Sequence, residues 1–219
     1  MSRTLKVVLV IGAVLLAGLV YTGVSFMGLE QPDYRVVFAN DGVEYRQYEP
    51  YLVSETVIEQ ADNYKAAGNE GFRRLFRYIT GGNTGKNKIA MTVPVAQTAS
   101  SEKIAMTAPV QQTEAAAGWR VAFMLPTEYT LETAPQPTDS RVSIREVPGR
   151  LTAVLRYSGR WTQRNYTKKQ AELLAALEKA DITPKGEVQS ALYNAPYTPP
   201  FLRRNEVLVE IDRLPAAAR

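Results

Sequence analysis

The chain begins with a long apolar run, and only after it do polar residues enter a regular pattern. From Val7 to Leu29 there are 23 residues without a charge. At about 1.5 Å of rise per residue, a helix of this length can span a bilayer. Because the run is apolar on all faces, a core helix of a soluble protein is not expected. The pattern predicts a membrane-directed segment.

From Gly42 onward, hydrophobic and polar residues alternate with a period of two, which is typical of a strand with one buried face. The alternation covers Val43 to Tyr48, breaks at Glu49 and Pro50, and resumes from Tyr51 to Ile58. Two such runs joined by a short break predict a β-hairpin.

A helix is predicted next, because the apolar residues change to a spacing of three and four. Asp62 or Asn63 is placed to cap its first turn, and the run from Thr80 to Asn83 ends it. One face carries Phe72, Leu75, Phe76 and Ile79, and the other carries Arg73, Arg74 and Arg77.

The same order of elements returns 99 residues later, where Val142 and Arg145 match Val43 and Arg46. Pro148–Gly149 takes the place of the first turn, and a second helix follows at an offset of 102. Two hairpin-helix-strand units, each with a helix that covers one face of a sheet, predict an α+β domain of antiparallel strands around a shared core. A cleft between the two halves is the natural place for a ligand.

The first half also contains a short repeat, in which the motif at Lys88–Val95 recurs at Lys103–Val110. The two copies are expected to be the arms of a hairpin, or a strand and its duplicated insertion. Each copy contains a proline, which favours an edge or a bulge. A linker from Pro126 to Ser140 with three prolines then separates the halves.

Charges on either side of the apolar run predict its orientation. Arg3 and Lys6 precede the run and Glu30 follows it, which places the N-terminus in the cytoplasm and the domain outside. We expect residues 1–30 to be a membrane anchor or signal segment and residues 31–219 to be a ligand-binding domain. An inner-membrane anchor with the domain in the periplasm or outside the cell is favoured. Secretion after signal cleavage is the alternative, although small-residue cleavage sites are poor.

Composition excludes several kinds of chemistry. The chain has no Cys and no His, so disulfides, thiolate nucleophiles, Cys or His zinc sites and a histidine ligand to haem iron are impossible. Its net charge of +4 is spread along the chain and no nucleic-acid-binding motif is present. We therefore expect no nucleic-acid partner.

Several stretches in order resemble the SOUL haem-binding family. They are GFRRLFRYITGGN at Gly71–Asn83, the two IAMT(V/A)PV copies, RVAFMLP at Arg120–Pro126 and FLRRNEV at Phe201–Val207. The resemblance covers residues 33 to 213. It implies a distorted antiparallel β-barrel with two flanking helices and an internal pseudo-two-fold repeat. It also implies non-covalent binding of haem or a related tetrapyrrole as the cofactor or ligand.

In the family the ligand lies against the first helix, held by apolar contact and by basic side chains near the propionates. The resemblance therefore implies a platform of Phe72 and Phe76, with Arg77 and Arg73 pairing with propionates. A guanidinium can grip a carboxylate through two hydrogen bonds. The alternative is that the apolar residues are only the buried face of the helix and the arginines only its solvated face.

The absence of histidine sets this chain apart from family members that use it as an axial ligand. The remaining candidates for iron are Met91, Met106 and Met124, a tyrosinate, or no protein ligand. Methionine beside Ile and Val on a strand is more often core filler. We expect apolar capture with weak or absent coordination, which suits a carrier, buffer or sensor, and no motif for catalysis is found.

Two other kinds of function remain open. The first is binding or hydrolysis of another small apolar or cationic molecule in the cleft, with Glu128 or Glu206 as general base. For Glu206, an ion pair with Arg203 or Arg204 is the simpler interpretation. The second is an envelope interaction module, in which the arginine-bearing helix and the segment from Tyr193 to Phe201 contact lipid headgroups or another protein.

Overall fold

The computed structural model describes residues 29–85, 101–115 and 118–218. Residues 1–28, which hold nearly all of the apolar run, lie outside the described residues, so the anchor and the domain boundary at residue 30 stay predictions. Within the described ranges, no helix combines the length and the apolar character needed to cross a membrane.

In the described residues, nine strands form one antiparallel sheet and two more form a small ladder. The large sheet consists of β1 (Tyr34–Asn40), β2 (Val43–Tyr48), β3 (Tyr51–Ile58), β5 (Val110–Ala115), β6 (Gly118–Met124), β8 (Val142–Val147), β9 (Arg150–Tyr157), β10 (Lys185–Leu192) and β11 (Asn205–Glu210). The small ladder pairs β4 (Asn83–Thr84) with β7 (Gln136–Pro137), which lies in the proline-containing linker.

The strand order confirms the internal repeat. It runs β1-β2-β9-β11-β10-β5-β6-β3-β8. About the central pair β10 and β5, β11 matches β6, β9 matches β3 and β2 matches β8, while β1 is an additional edge strand. In the described residues β1 and β8 are the two edges, so the barrel is distorted and open. The α+β class with antiparallel strands, two helices and a pseudo-two-fold repeat is confirmed.

The two predicted hairpins are wrong, although their strands are present. β2 does not pair with β3; it pairs with β9, and β3 pairs with β8. Each turn therefore carries the chain from one arm of the sheet to the other, and the two turns cross. The approach is close, because a Cβ on Gly149 would lie 3.1 Å from the backbone oxygen of Tyr48. Alternation identifies a strand and its buried face but contains no information on its partner.

Each half of the sheet is covered by one helix on the same side. Helix α1 (Tyr64–Ile79) packs on β6 and β3, and α2 (Gln163–Lys179) packs on β9 and β11. Asn63 caps α1 by accepting a hydrogen bond from the Ala66 backbone N–H, at 3.0 Å. Gly71 allows α1 to lie close to the sheet, since a Cβ there would be 2.4 Å from Val121 Cγ2.

The short repeat can be assessed only in its second copy, because Lys88–Val95 lies outside the described residues. Lys103–Pro109 contains no strand, and β5 begins at Val110. Instead, the buried Ile104 donates its backbone N–H to the Ile79 carbonyl at the end of α1, at 2.9 Å. The second copy thus follows the helix end before it joins the sheet.

Candidate functional site

The outward side of α1 presents two stacked aromatic rings. The ring centroids of Phe72 and Phe76 are 5.7 Å apart with planes 12° from parallel. Phe72 is half-buried and meets Phe123 of β6 edge-on at 5.3 Å. Phe76 is 44% exposed. A ring that would normally be buried is therefore held at the surface on a rigid base.

The two arginines of the predicted site are exposed but differ in their partners. Arg73 forms an ion pair with Glu70, with an Nη2–Oε2 distance of 2.8 Å. Glu70 also accepts a hydrogen bond from Arg74, and this contact and the charge of Arg73 lower the pKa of the Glu70 carboxyl. Arg77 has no carboxylate within ion-pair distance among the described residues. The structure thus leaves Arg77 more available to a ligand than Arg73.

Asn83 fixes the end of the helix beside these rings, a role that was not predicted from the sequence. Its buried amide donates to the carbonyls of Tyr78, at 2.7 Å, and of Glu102, at 2.9 Å. Its Oδ1 accepts from the Glu102 backbone N–H at 3.0 Å. The chain on both sides of residues 86–100 is therefore held at the C-terminal end of α1. The signal was an Asn directly after two glycines at a helix end.

The candidate iron ligands are not grouped around the two rings. Met91 lies outside the described residues. Met124 is buried and follows Phe123 on β6, so it points to the opposite face of the sheet. Of the two candidate methionines in the described residues, only Met106 lies on the α1 side, where it is partly buried against the same apolar cluster as Phe72.

Two tyrosines, Tyr78 and Tyr129, contact the apolar cluster beneath α1. Burial, followed by the hydrogen bond to Glu102, raises the pKa of Tyr129 to about 12. Burial likewise raises the pKa of Tyr78, whose hydroxyl donates to the Pro135 carbonyl at 2.8 Å. A raised pKa makes loss of the proton more costly, which disfavours these two side chains as tyrosinate ligands. In the described residues, no cluster of acidic side chains suited to a metal ion is present either.

Glu206, the candidate general base, is a fully buried partner of two arginines. Arg46 donates to both of its carboxylate oxygens, at 2.9 and 3.1 Å, and Arg204 donates at 2.9 Å. The Tyr193 hydroxyl adds a third donor at 2.9 Å. Burial favours a higher pKa for Glu206, but the hydrogen bonds and charges of the arginines outweigh it, so its pKa is lowered. A carboxylate stabilised in this way is a structural ion pair and a poor base.

The expected cleft between the halves is filled on the helix side. Tyr64 and Tyr166, each near the start of a helix, stack with centroids 5.1 Å apart and planes at 11°. Trp119 meets both rings edge-on, at 5.5 and 6.2 Å. The Tyr64 hydroxyl lies 2.7 Å from Ser190 Oγ. Packed aromatic rings therefore occupy the junction of the two helices.

A shallow depression of about 340 Å³ lies elsewhere, between the turn at Pro50 and the linker near Leu125 and Tyr129. This volume is at the lower end for small-molecule sites. Glu132 and Glu146 are part of its lining. Carboxylates at this position oppose a ligand that carries propionates, so the outer side of α1 is the better candidate.

Comparison with solved structures identifies the fold. The C-terminal domain of EcmrR is 7% identical, with a TM-score of 0.51 over 83% of this chain and 99% of that domain. EcmrR in its complex with DNA is 6% identical, with a TM-score of 0.52 over 78% of this chain and 57% of that one. A hydrolase from Listeria innocua is 11% identical, with a TM-score of 0.46 over 80% and 94% of the two chains. At these identities the two EcmrR structures indicate a shared fold and nothing more.

Comparison of sequences identifies the family. No curated protein matches the chain. The family model described as "SOUL heme-binding protein" matches residues 29–210, which include α1, α2 and the whole of the large sheet. The chain therefore belongs to the SOUL heme-binding protein family.

Proposed function

We propose that this protein binds haem or a related tetrapyrrole non-covalently against the outer side of α1, as a carrier, buffer or sensor at the bacterial cell envelope. The observation that carries the proposal is the exposed ring of Phe76, stacked on Phe72, which in turn packs on Phe123. The family is one of binding proteins rather than enzymes, and the lowered pKa of Glu206 gives no support to a general base.

Apolar contact supplies most of the affinity in this proposal. Phe76 is 44% exposed, and a flat macrocycle laid on it removes that area from water. Burial of apolar surface contributes about 25 cal/mol per Å², and a favourable ring contact adds roughly 0.5 to 1.5 kcal/mol. Phe72 contributes less new burial, since it is already partly covered.

The propionates pair with Arg77 first and with Arg73 second. Arg77 has no competing carboxylate within ion-pair distance in the described residues, whereas Arg73 must leave Glu70. At an exposed site each pair contributes only about 0.2 to 1 kcal/mol. The arginines therefore orient the ligand more than they hold it.

Iron coordination is not needed for this mode of binding. The chain has neither His nor Cys, Met124 faces away from the site, and the raised pKa values of Tyr78 and Tyr129 disfavour a tyrosinate ligand. We therefore propose that metal-free protoporphyrin binds nearly as well as hemin. Ligation by Met106 or Met91 is the alternative, and it would favour hemin.

The envelope location rests on the uncharged run from Val7 to Leu29 and on Arg3 and Lys6 before it. We propose an inner-membrane anchor with the domain in the periplasm or outside the cell, and secretion after cleavage as the alternative. Alkaline extraction of membranes separates the two. An anchored chain stays in the pellet at full length, and a secreted chain is released without its first segment.

Titration of the full chain with hemin and with metal-free protoporphyrin tests the binding, with empty micelles and an unrelated protein as blanks. The Soret band and tryptophan quenching report saturation, expected at about one ligand per chain for both compounds. Phe76→Ala should weaken both about five- to ten-fold. Phe201→Ala, which removes an equally large exposed ring from another surface, should have no effect.

Each result of the titration has one meaning. Equal losses in the two variants, or binding no tighter than to the blanks, would reject the α1 site. Saturable binding of hemin alone would reject capture without iron and leave Met91 and Met106 as the ligands to test by Met91→Leu and Met106→Leu.

A further inference from the structure

The loop between β10 and β11 presents an apolar surface beside the segment that leads into α2. Tyr197, Phe201 and Leu202 are 66, 73 and 51% exposed, and they are the most exposed large hydrophobic side chains in the described residues. Hydrogen bonds within the loop hold its backbone in place. Arg203 donates to the carbonyls of Thr198, at 2.8 Å, and Pro196, at 2.7 Å. Clustered exposed apolar side chains of this kind mark an interaction surface.

Two cations border this apolar loop. The Arg203 guanidinium lies 4.3 Å from the centroid of the Trp161 ring, and Arg160 precedes that tryptophan. The segment that contains Arg160 is joined to the loop by a hydrogen bond from the Gly159 N–H to the Pro200 carbonyl, at 2.9 Å. Burial, and secondly the charge of Arg160, lower the pKa of Arg203. Within the described residues, neither arginine has a carboxylate at ion-pair distance, so the surface attracts anions.

The same surface adjoins the point at which the apolar N-terminal run joins the domain. Leu29, the last residue of that run, packs on the buried cluster that contains Tyr193 at the base of the loop. Gln31 Oε1 accepts a hydrogen bond from Arg204 Nη1 at 3.0 Å, and Arg204 directly follows Arg203. The domain therefore begins without a spacer, and its first residues are fixed against this loop.

We propose that Tyr197, Phe201 and Leu202, with Arg160 and Arg203, dock on the surface of an anionic lipid bilayer. Aromatic and aliphatic side chains are stabilised at the boundary between headgroups and acyl chains, and arginines are attracted to anionic headgroups. A membrane is favoured over a protein partner because the chain enters the domain beside the loop from a predicted membrane segment. This proposal does not depend on the tetrapyrrole site.

Quenching of Trp161 by brominated phospholipids tests the proposal in the full chain. The protein is reconstituted in vesicles of phosphatidylcholine alone or mixed with phosphatidylglycerol. The chain has two tryptophans, and Trp119 is packed edge-on against the stacked rings of Tyr64 and Tyr166. Trp161→Phe therefore supplies the blank for the signal of Trp161. We expect quenching that is stronger in the mixed vesicles.

Variants of exposed residues then separate docking from simple anchoring. Phe201→Ser with Leu202→Ser should abolish the quenching. Arg160→Gln should lower the docked fraction about five-fold, and only in the mixed vesicles. Leu131→Ser, at a comparably exposed leucine outside the loop, is the control. Hemin affinity, read on the same samples, should be unchanged in all three.

The proposal is overturned if Trp161 is unquenched in both kinds of vesicle while the chain stays with the lipid. It is also overturned if Leu131→Ser lowers the quenching as much as the change at Phe201 and Leu202. Equal quenching in the two kinds of vesicle would retain apolar docking but reject the role of the arginines.

Discussion

Helices α1 and α2 have the same role in the fold but opposite outer surfaces. On the buried side they match at an offset of 102, where Leu75 and Leu177 are both fully buried and Tyr64 and Tyr166 stack on each other. The repeat thus preserves the residues that attach each helix to its half of the sheet.

On the exposed side the match ends. At the same offset, α2 has Glu178 where α1 has Phe76, and Lys179 where α1 has Arg77. Lys179 pairs with Asp41 at 3.2 Å. An acidic residue in place of an exposed ring is ordinary for a solvated helix, so packing does not require Phe76. The difference between the helices therefore locates the candidate site on α1, and α2 provides an internal control.

The buried charges of the two halves differ in a similar way. Arg46 and Arg145 occupy equivalent strand positions, and each pairs with a glutamate on its own face of the sheet. Glu206, the partner of Arg46, is fully buried, whereas Arg145 is 46% exposed in its pair with Glu55. The two equivalent arginines therefore differ: Arg46 stabilises a buried carboxylate, and Arg145 forms an ion pair that water reaches.

Loss of the buried carboxylate should have the largest effect on stability. Glu206→Gln leaves Arg46 and Arg204 without a full negative charge in a buried site, so the free energy of unfolding should fall by about 3 to 5 kcal/mol. Glu55→Gln should cost about 1 kcal/mol or less, because water reaches Arg145. Urea unfolding at neutral pH compares the two, and equal losses would show that burial does not distinguish the pairs.

Helix packing gives the second comparison, with opposite changes of volume. Leu173→Ala removes a fully buried side chain from α2 and should cost about 2 to 5 kcal/mol. At the equivalent position of α1 is Gly71, where even Ala would press on Val121 and should cost about 1 to 3 kcal/mol. Thermal unfolding measures both, and a stabilising Gly71→Ala would mean that α1 has room to move outward.

Acid should reduce the contribution of Glu206 in a defined window. Its pKa in the folded protein is below the ordinary value of 4.5, so its stabilisation is complete above that value and is lost as the pH falls toward the lowered pKa. The difference in unfolding free energy between the unsubstituted chain and Glu206→Gln should therefore narrow below about pH 4.5. A constant difference down to pH 3 would mean that folding does not lower the pKa of Glu206.

Local pattern was enough to predict most strands of the large sheet, both helices and the cap of α1, but not β1, the Thr162 cap of α2 or the strand partners. The alternation at Val43–Tyr48 reports only which side chains are buried, and the strand that pairs with it begins at Arg150. The pair of Arg46 and Glu206 spans 160 residues and leaves no local trace. By contrast, the pairing of Arg73 with Glu70 follows from their spacing on a helix and could have been predicted.

Exchange of the exposed residues between α1 and α2 tests whether the ring of Phe76 forms the tetrapyrrole site. Phe76→Glu places the α2 residue on α1, removes the ring and adds a charge that repels propionates, so hemin binding should weaken at least about ten-fold. Glu178→Phe is the reciprocal change and should leave the α1 affinity unaltered, since α2 has Leu174, and no aromatic ring, at the position of Phe72. Hemin titration of both variants checks this, and a loss in Glu178→Phe would point to α2 as part of the site.

The smallest expected effect concerns the two basic residues that end the helices. Arg77→Gln should weaken hemin binding only about two- to five-fold, because an exposed ion pair contributes up to about 1 kcal/mol. The loss should shrink at high salt, where the pair is screened over about 3 Å at 1 M. Lys179→Gln, on the equivalent position of α2, should change nothing at any salt concentration. If the effect of Arg77→Gln persists in high salt, the side chain acts by covering the ring of Phe76 and not by its charge.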